Sequence, residues 1–97
     1  MDKLSVPNHL VPFIRGLHPE ISRKIKGSLQ TLLAEPHVGK PLREELEGFR
    51  SFRVSRIRIV YQIDSIGEIQ VIAIGPRERI YEETYRLIRK ERRHFSS

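Results

Sequence analysis

The stretch "FRSFRVSRIRIVYQI", Phe49 to Ile63, decides the fold. It reads as two short β-strands, and the working assumption is a two-residue turn at Ser55-Arg56. A two-residue turn there pairs Val54 with Ile57, Arg53 with Arg58, Phe52 with Ile59, Ser51 with Val60 and Arg50 with Tyr61. Ser-Arg lacks the Gly or Asn that a tight hairpin prefers. Side chains alternate between faces along a strand. One face therefore carries Phe52, Val54, Ile57, Ile59, Tyr61 and Ile63, suited to packing against helices. The other carries Ser51, Arg53, Arg58 and Gln62.

That second face poses a problem of charge. Directly opposed residues have Cβ atoms about 5 Å apart. Two guanidinium groups about 6 Å apart repel by roughly 0.7–3 kcal/mol, depending on how wet the site is. A phosphate bridging Arg53 and Arg58 turns that repulsion into charge-assisted hydrogen bonds. The alternative is that the two side chains splay into water. Arg77 follows the next strand directly through "GPR" and joins the same end of the sheet. Tyr81, one helical turn on, either points the same way or packs the last helix.

Upstream of the hairpin, Lys3 to Val6 is a short strand stopped by Pro7. Leu10, Phe13, Ile14 and Leu17 fall at helical spacing, with Pro12 tolerable only in a first turn. A second helix opens at Pro19-Glu20 and carries the stripe Ile21, Ile25, Leu29, Leu32 and Leu33, ending before Pro36. The short connection from Gly16 to His18 makes the two helices an antiparallel hairpin. "HVGKPLREELEG" is a loop with a helical turn. Downstream, "IQVIAIG", Ile69 to Gly75, is nearly all apolar and reads as a central strand buried on both faces. "RERIYEETYRLIRKERRHF" places Ile80, Thr84, Leu87 and Ile88 at helical spacing. The order of elements is α+β.

The chain has 97 residues, enough for a single domain over 1–97, with 38% hydrophobic and 31% charged residues. Its net charge of +6 suits a polyanionic or acidic partner. There is no cysteine, which excludes disulfides and thiolate chemistry and fits a reducing, cytoplasmic setting. No signal peptide or membrane span is legible, and no membrane partner is expected. His9, His18, His37 and His94 show no metal-ligand spacing, and no cofactor motif is present.

"GKPLREELEGFRSFRVSRIRIVYQID" followed by "IQVIAIGPRERIYEETYRLI" resembles the RelE/ParE superfamily of toxins from type II toxin–antitoxin systems. The resemblance covers Gly39 to Ile88. It implies a RelE-like fold: a small twisted, mostly antiparallel sheet with an N-terminal helical hairpin packed on one face and a C-terminal helix. It also implies ribosome-dependent cleavage of messenger RNA, in which the ribose 2′-hydroxyl attacks the adjacent phosphate. By motif, Arg53, Arg58, Arg77 and Tyr81 are then the catalytic candidates. Arg50, Arg56 and Lys40 are RNA-contacting candidates, with Arg89, Lys90, Arg92 and Arg93 of the basic terminal run. Glu44, Glu45, Glu82 and Glu83 are fallback bases.

The implied partners are a cognate antitoxin with an acidic segment, the ribosome and its message, and promoter DNA only through the antitoxin complex. Two other readings stay open: a ParE-like gyrase inhibitor, and an inactive relative that only binds its antitoxin. Ser55 stands where many relatives have glycine, Ile57 where they have tyrosine, and Ser51 where one branch has a lysine.

Overall fold

The sheet grows outward from the hairpin. β3 (Phe49–Val54) and β4 (Ile57–Ile63) pair antiparallel, joining Val54 to Ile57, Arg53 to Arg58, Phe52 to Ile59, Ser51 to Val60 and Arg50 to Tyr61. This is the register that a two-residue Ser55-Arg56 turn gives. The turn is reached at a cost: Ser55 has φ +57°, a left-handed conformation unfavourable by about 1–2 kcal/mol for a residue with a Cβ. β5 (Ile69–Pro76) pairs antiparallel with β4, and β1 (Leu4–Ser5) adds to it in parallel. β2 (Lys40–Pro41) closes the opposite edge against β3, giving the order β1-β5-β4-β3-β2. The computed structural model describes the backbone of residues 3–96 and the side chains of residues 3–89.

Helices α1 (Leu10–Arg15) and α2 (Pro19–Ala34) form the N-terminal hairpin. Pro12 lies in the first turn of α1, where its missing N–H leaves no intrahelical bond unmade. Pro19 opens α2, and His18 Nδ1 caps it by accepting the Glu20 N–H at 3.2 Å. The hairpin packs on the sheet face that carries Val54, Ile59, Tyr61, Ile69, Val71 and Ile74. Within the α2 stripe, Ile25 and Leu32 are fully buried, whereas Ile21, Leu29 and Leu33 are half-buried. Leu29 sits about 40° around the helix from Ile25, while Leu32 returns to within about 20° of it. The seam against the sheet therefore runs along Ile25 and Leu32.

The other face is covered as well. Helix α3 (Arg77–Ser96) lies across it, and Ile80 packs on Val60 and Ala73, with Phe49, Leu42, Tyr81 and Leu87 around them. The arginines of this face are gathered at the tip of the β3–β4 hairpin. A β-bulge sets this phase. Val60 pairs with Ala73 but Tyr61 pairs with Val71, leaving Ile72 as the extra residue. Beyond the bulge Ile74 turns into the hairpin core, and Ala73 turns to the α3 side. Gly75 pairs with Arg58. β5 is thus covered on both faces, as its apolar run predicts, but the strand at the centre of the sheet is β4.

Candidate anion-binding site

The tip of the β3–β4 hairpin and the start of α3 enclose a pocket of about 330 Å³ lined by Arg53, Ser55, Arg56, Arg58, Arg77 and Glu78. Strand pairing sets Arg53 against Arg58. Arg56 comes from the turn itself. Arg77 is the first residue of α3 and arrives directly from the end of β5. Arg53 folds back on the turn, its Nε donating to the Ser55 carbonyl at 3.2 Å. Among the described residues the only ion pair is Arg86 with Glu82 on the exposed side of α3, so none of the four pocket arginines is ion-paired. The positive amino end of α3 opens beside them. Fixed cations converging on one small volume can hold a phosphodiester, and they favour any state in which that phosphate gains charge.

Tyr81 lies one turn after Arg77 but does not line this pocket. It is half-buried against the Ile80 cluster, and its hydroxyl donates to Ser51 Oγ at 3.3 Å. Lys40 pairs with Ser51 across β2–β3 and is exposed, so it shares the Ser51 face, two residues along the strand from Arg53. Arg89 stands over the Tyr85 ring, 5.6 Å from its centroid, and is about 18 Å along α3 from Arg77. The side chains of Lys90, Arg92 and Arg93 lie outside the described residues.

Arg50 requires a correction. It does not join the cationic patch, because alternation places it on the helical-hairpin face opposite Tyr61. There its Nη1 donates to the carbonyls of Gly39 at 2.8 Å and His37 at 3.0 Å. Tyr61 completes the clamp: its hydroxyl donates to the Pro36 carbonyl at 2.7 Å and accepts the Gly39 N–H at 3.0 Å. Burial pushes the Tyr61 phenol above its ordinary pKa, against smaller opposing effects of the Gly39 N–H and the Arg50 guanidinium. A neutral phenol is the form that can donate to Pro36. A Cβ on Gly39 would lie 2.5 Å from the Tyr61 hydroxyl, so glycine is required there by close approach.

None of the fallback bases lines the arginine pocket. Glu44 and Glu45 lie in a 3-10 turn, Glu82 pairs with Arg86, and Glu83 lines a separate groove with His9 and Phe13. The carboxylate that does line it, Glu78, was missed by sequence reasoning. A glutamate in the first turn of a helix is commonplace, and only the folding of the hairpin tip against that turn sets it apart.

A small α+β domain built on an arginine-tipped hairpin is the architecture of a toxin fold. The chain matches the family model described as "ParE toxin of type II toxin-antitoxin system, parDE" over residues 13–81, and it belongs to that family, within the RelE/ParE superfamily. It is similar to a chain of the toxin–antitoxin complex RelBE2 from Mycobacterium tuberculosis, with 28% identity and a TM-score of 0.64, over 79% of this chain and 96% of that one. A chain of the intact E. coli RelBE toxin–antitoxin complex shares 26% identity over 79% of this chain and 98% of that one, with a TM-score of 0.64. A mutant of E. coli toxin RelE in the free state aligns over 87% of this chain and 94% of that one, at 23% identity and a TM-score of 0.69, which bears on the fold alone. No curated protein sequence matches the chain.

Proposed function

We propose that this toxin is a ribosome-dependent messenger RNA endonuclease that arrests translation. The observation that supports it is the pocket of Arg53, Arg56, Arg58 and Arg77, in which no arginine is ion-paired among the described residues. In this reading the scissile phosphate sits between Arg53 and Arg58, with Arg77 closing the third side. Attack by the ribose 2′-hydroxyl adds negative charge to the phosphate oxygens. Guanidinium forks lining the pocket stabilise that charge. The products are a cyclic phosphate and a free 5′-hydroxyl, and the reaction draws on no cofactor. The chain acts as one domain in the cytoplasm, with Lys40 and the basic end of α3 tracking the RNA or ribosome backbone.

The similar RelBE chains are toxin–antitoxin complexes. We assign this chain an antitoxin of the same kind, whose acidic segment complements its net charge of +6. The match to a ParE family model favours a second reading, inhibition of DNA gyrase by binding. In vitro translation with primer extension on the message, run beside a gyrase supercoiling assay, separates the two. Discrete message breaks with supercoiling intact are the expected result. Intact message with blocked supercoiling would select the gyrase reading.

A further inference from the structure

RNA cleavage by the 2′-hydroxyl needs a group that takes its proton, and the groups proposed from sequence stand elsewhere. The Tyr81 hydroxyl is engaged with Ser51 Oγ at 3.3 Å and lies outside the pocket lining. Of the lining side chains, the arginines are acceptor-free and do not give up their protons in proteins. Ser55 offers a neutral hydroxyl, which is not a base at neutral pH. The one side chain of the lining able to accept a proton is the Glu78 carboxylate.

We propose that Glu78 is the general base of this site, removing the proton from the attacking 2′-hydroxyl; the inference rests on the RNA-cleavage reading above. Its placement suits the role in three ways. Glu78 follows Arg77 directly, so the base and one phosphate-binding cation are carried by the same first turn of α3. Among the described residues Glu78 forms no ion pair, so its oxygens are not held by the arginines across the pocket. The 2′-oxygen lies on the sugar adjacent to the scissile phosphate, so a base in the wall of the phosphate pocket is within reach once the phosphate is seated.

The step balances without any other reactant. The 2′-hydroxyl proton passes to a Glu78 carboxylate oxygen while the 2′-oxygen forms its bond to phosphorus. The bond from phosphorus to the 5′-oxygen breaks, and the electron pair leaves with that oxygen, which takes a proton from water. Glu78 then releases its proton to solvent. Nothing is oxidised or reduced.

The alternative role for this carboxylate is a counter-charge that merely moderates four arginines. The two roles move the rate in opposite directions. Losing a base slows cleavage by about 10²–10⁴-fold. Losing a counter-charge makes the pocket more cationic, which tightens RNA binding and leaves cleavage equal or faster. Glu78→Gln is close in shape and removes only the charge and the basic oxygen.

The experiment is single-turnover cleavage of a ribosome-bound message, with message affinity and melting temperature measured on the same preparations. Wild type should cleave. Glu78→Gln should melt within a few degrees of wild type, bind at least as tightly and cleave at least a hundredfold more slowly. Glu78→Asp, which keeps the carboxylate on a shorter arm, should recover part of that loss. A folded Glu78→Gln that cleaves at the wild-type rate or faster would overturn the inference, and Tyr81→Phe slowed in the same series would return the role to Tyr81. A wild type that leaves every message intact would instead remove the RNA-cleavage reading itself.

Discussion

Arg50 and Arg53 lie three residues apart on β3 and face opposite sides of the sheet. On the helical-hairpin side Arg50 meets backbone carbonyls, and its donors are spent holding the loop from His37 to Gly39. On the α3 side Arg53 meets Arg58, with Arg56 and Arg77 lining the same pocket. The residue type is the same and the strand is the same. What separates a structural arginine from a candidate functional one is the sign of what it faces. Arg50 gives its Nη1 to two carbonyls, whereas Arg53 gives only its Nε to the Ser55 carbonyl and faces other guanidiniums, which leave it in want of an anion. The same contrast holds for the two sheet faces as wholes. The one arginine of β3 on the hairpin side is taken up by carbonyls beside an apolar core, whereas the α3 side ends, among the described residues, in unpaired charge at the hairpin tip.

Substitutions on the hairpin side should act on stability, and the largest effect is expected in the seam of α2. Leu32→Ala should destabilise by about 3–5 kcal/mol. Leu29→Ala, at a half-buried position, should cost clearly less in the same urea titrations. Equal costs would mean that the seam does not run along Ile25 and Leu32.

The clamp comes next. Arg50→Ala leaves the Gly39 and His37 carbonyls without their charged donor and should destabilise by roughly 1.5–3 kcal/mol. Chemical denaturation reads this directly. A stability equal to wild type would return Arg50 to the RNA-contacting set.

The turn that joins the two regions should respond in the opposite direction. Ser55→Gly relieves the left-handed φ of +57° and should stabilise by about 1 kcal/mol. A melting temperature unchanged or lower would show that the turn is not strained. The smallest effect is expected from the β4–β5 turn. Desolvation acts to raise the Asp64 pKa, but it is outweighed by hydrogen bonds from the Glu68 N–H, the Gln70 side chain and the Ile66 and Gly67 N–H groups, so the carboxyl is held below its ordinary value. A depressed folded-state pKa contributes stability above the unfolded value near 3.8 and loses it as pH falls through the folded value. Asp64→Asn should therefore flatten part of the acid limb of a stability–pH curve below about pH 4. An unchanged limb would contradict the assignment.

Much of the fold was legible because one face of the hairpin is dry. Slipping the register by one residue would expose Phe52, Val54, Ile57 and Ile59 together, so alternation fixed which face each residue joins, and the assumed Ser55-Arg56 turn set the pairing. The α2 stripe was legible for the same reason at helical period. The bulge at Ile72 was not, because β5 is buried on both faces and its apolar run carries no phase. Nor was the role of Arg50, whose partners come from residues 11 and 13 positions away in a loop without regular pattern. In the candidate site, the convergence of Arg53, Arg58 and Arg77 followed from register and connectivity. The distance of Tyr81 from that cluster did not follow, since one helical turn fixes a direction along α3 and not what the side chain meets there. Glu78 was hidden by being ordinary.

The proposed role of the hairpin-tip arginines is to act on a phosphate and not on the fold. The most direct measurement is the single-turnover cleavage rate of a ribosome-bound message by Arg58→Ala, with its melting temperature as the control. Cleavage slower by about 10²–10³-fold is expected, with stability unchanged or slightly higher because the facing Arg53 loses a like-charged neighbour. Cleavage at the wild-type rate by a folded Arg58→Ala would contradict it.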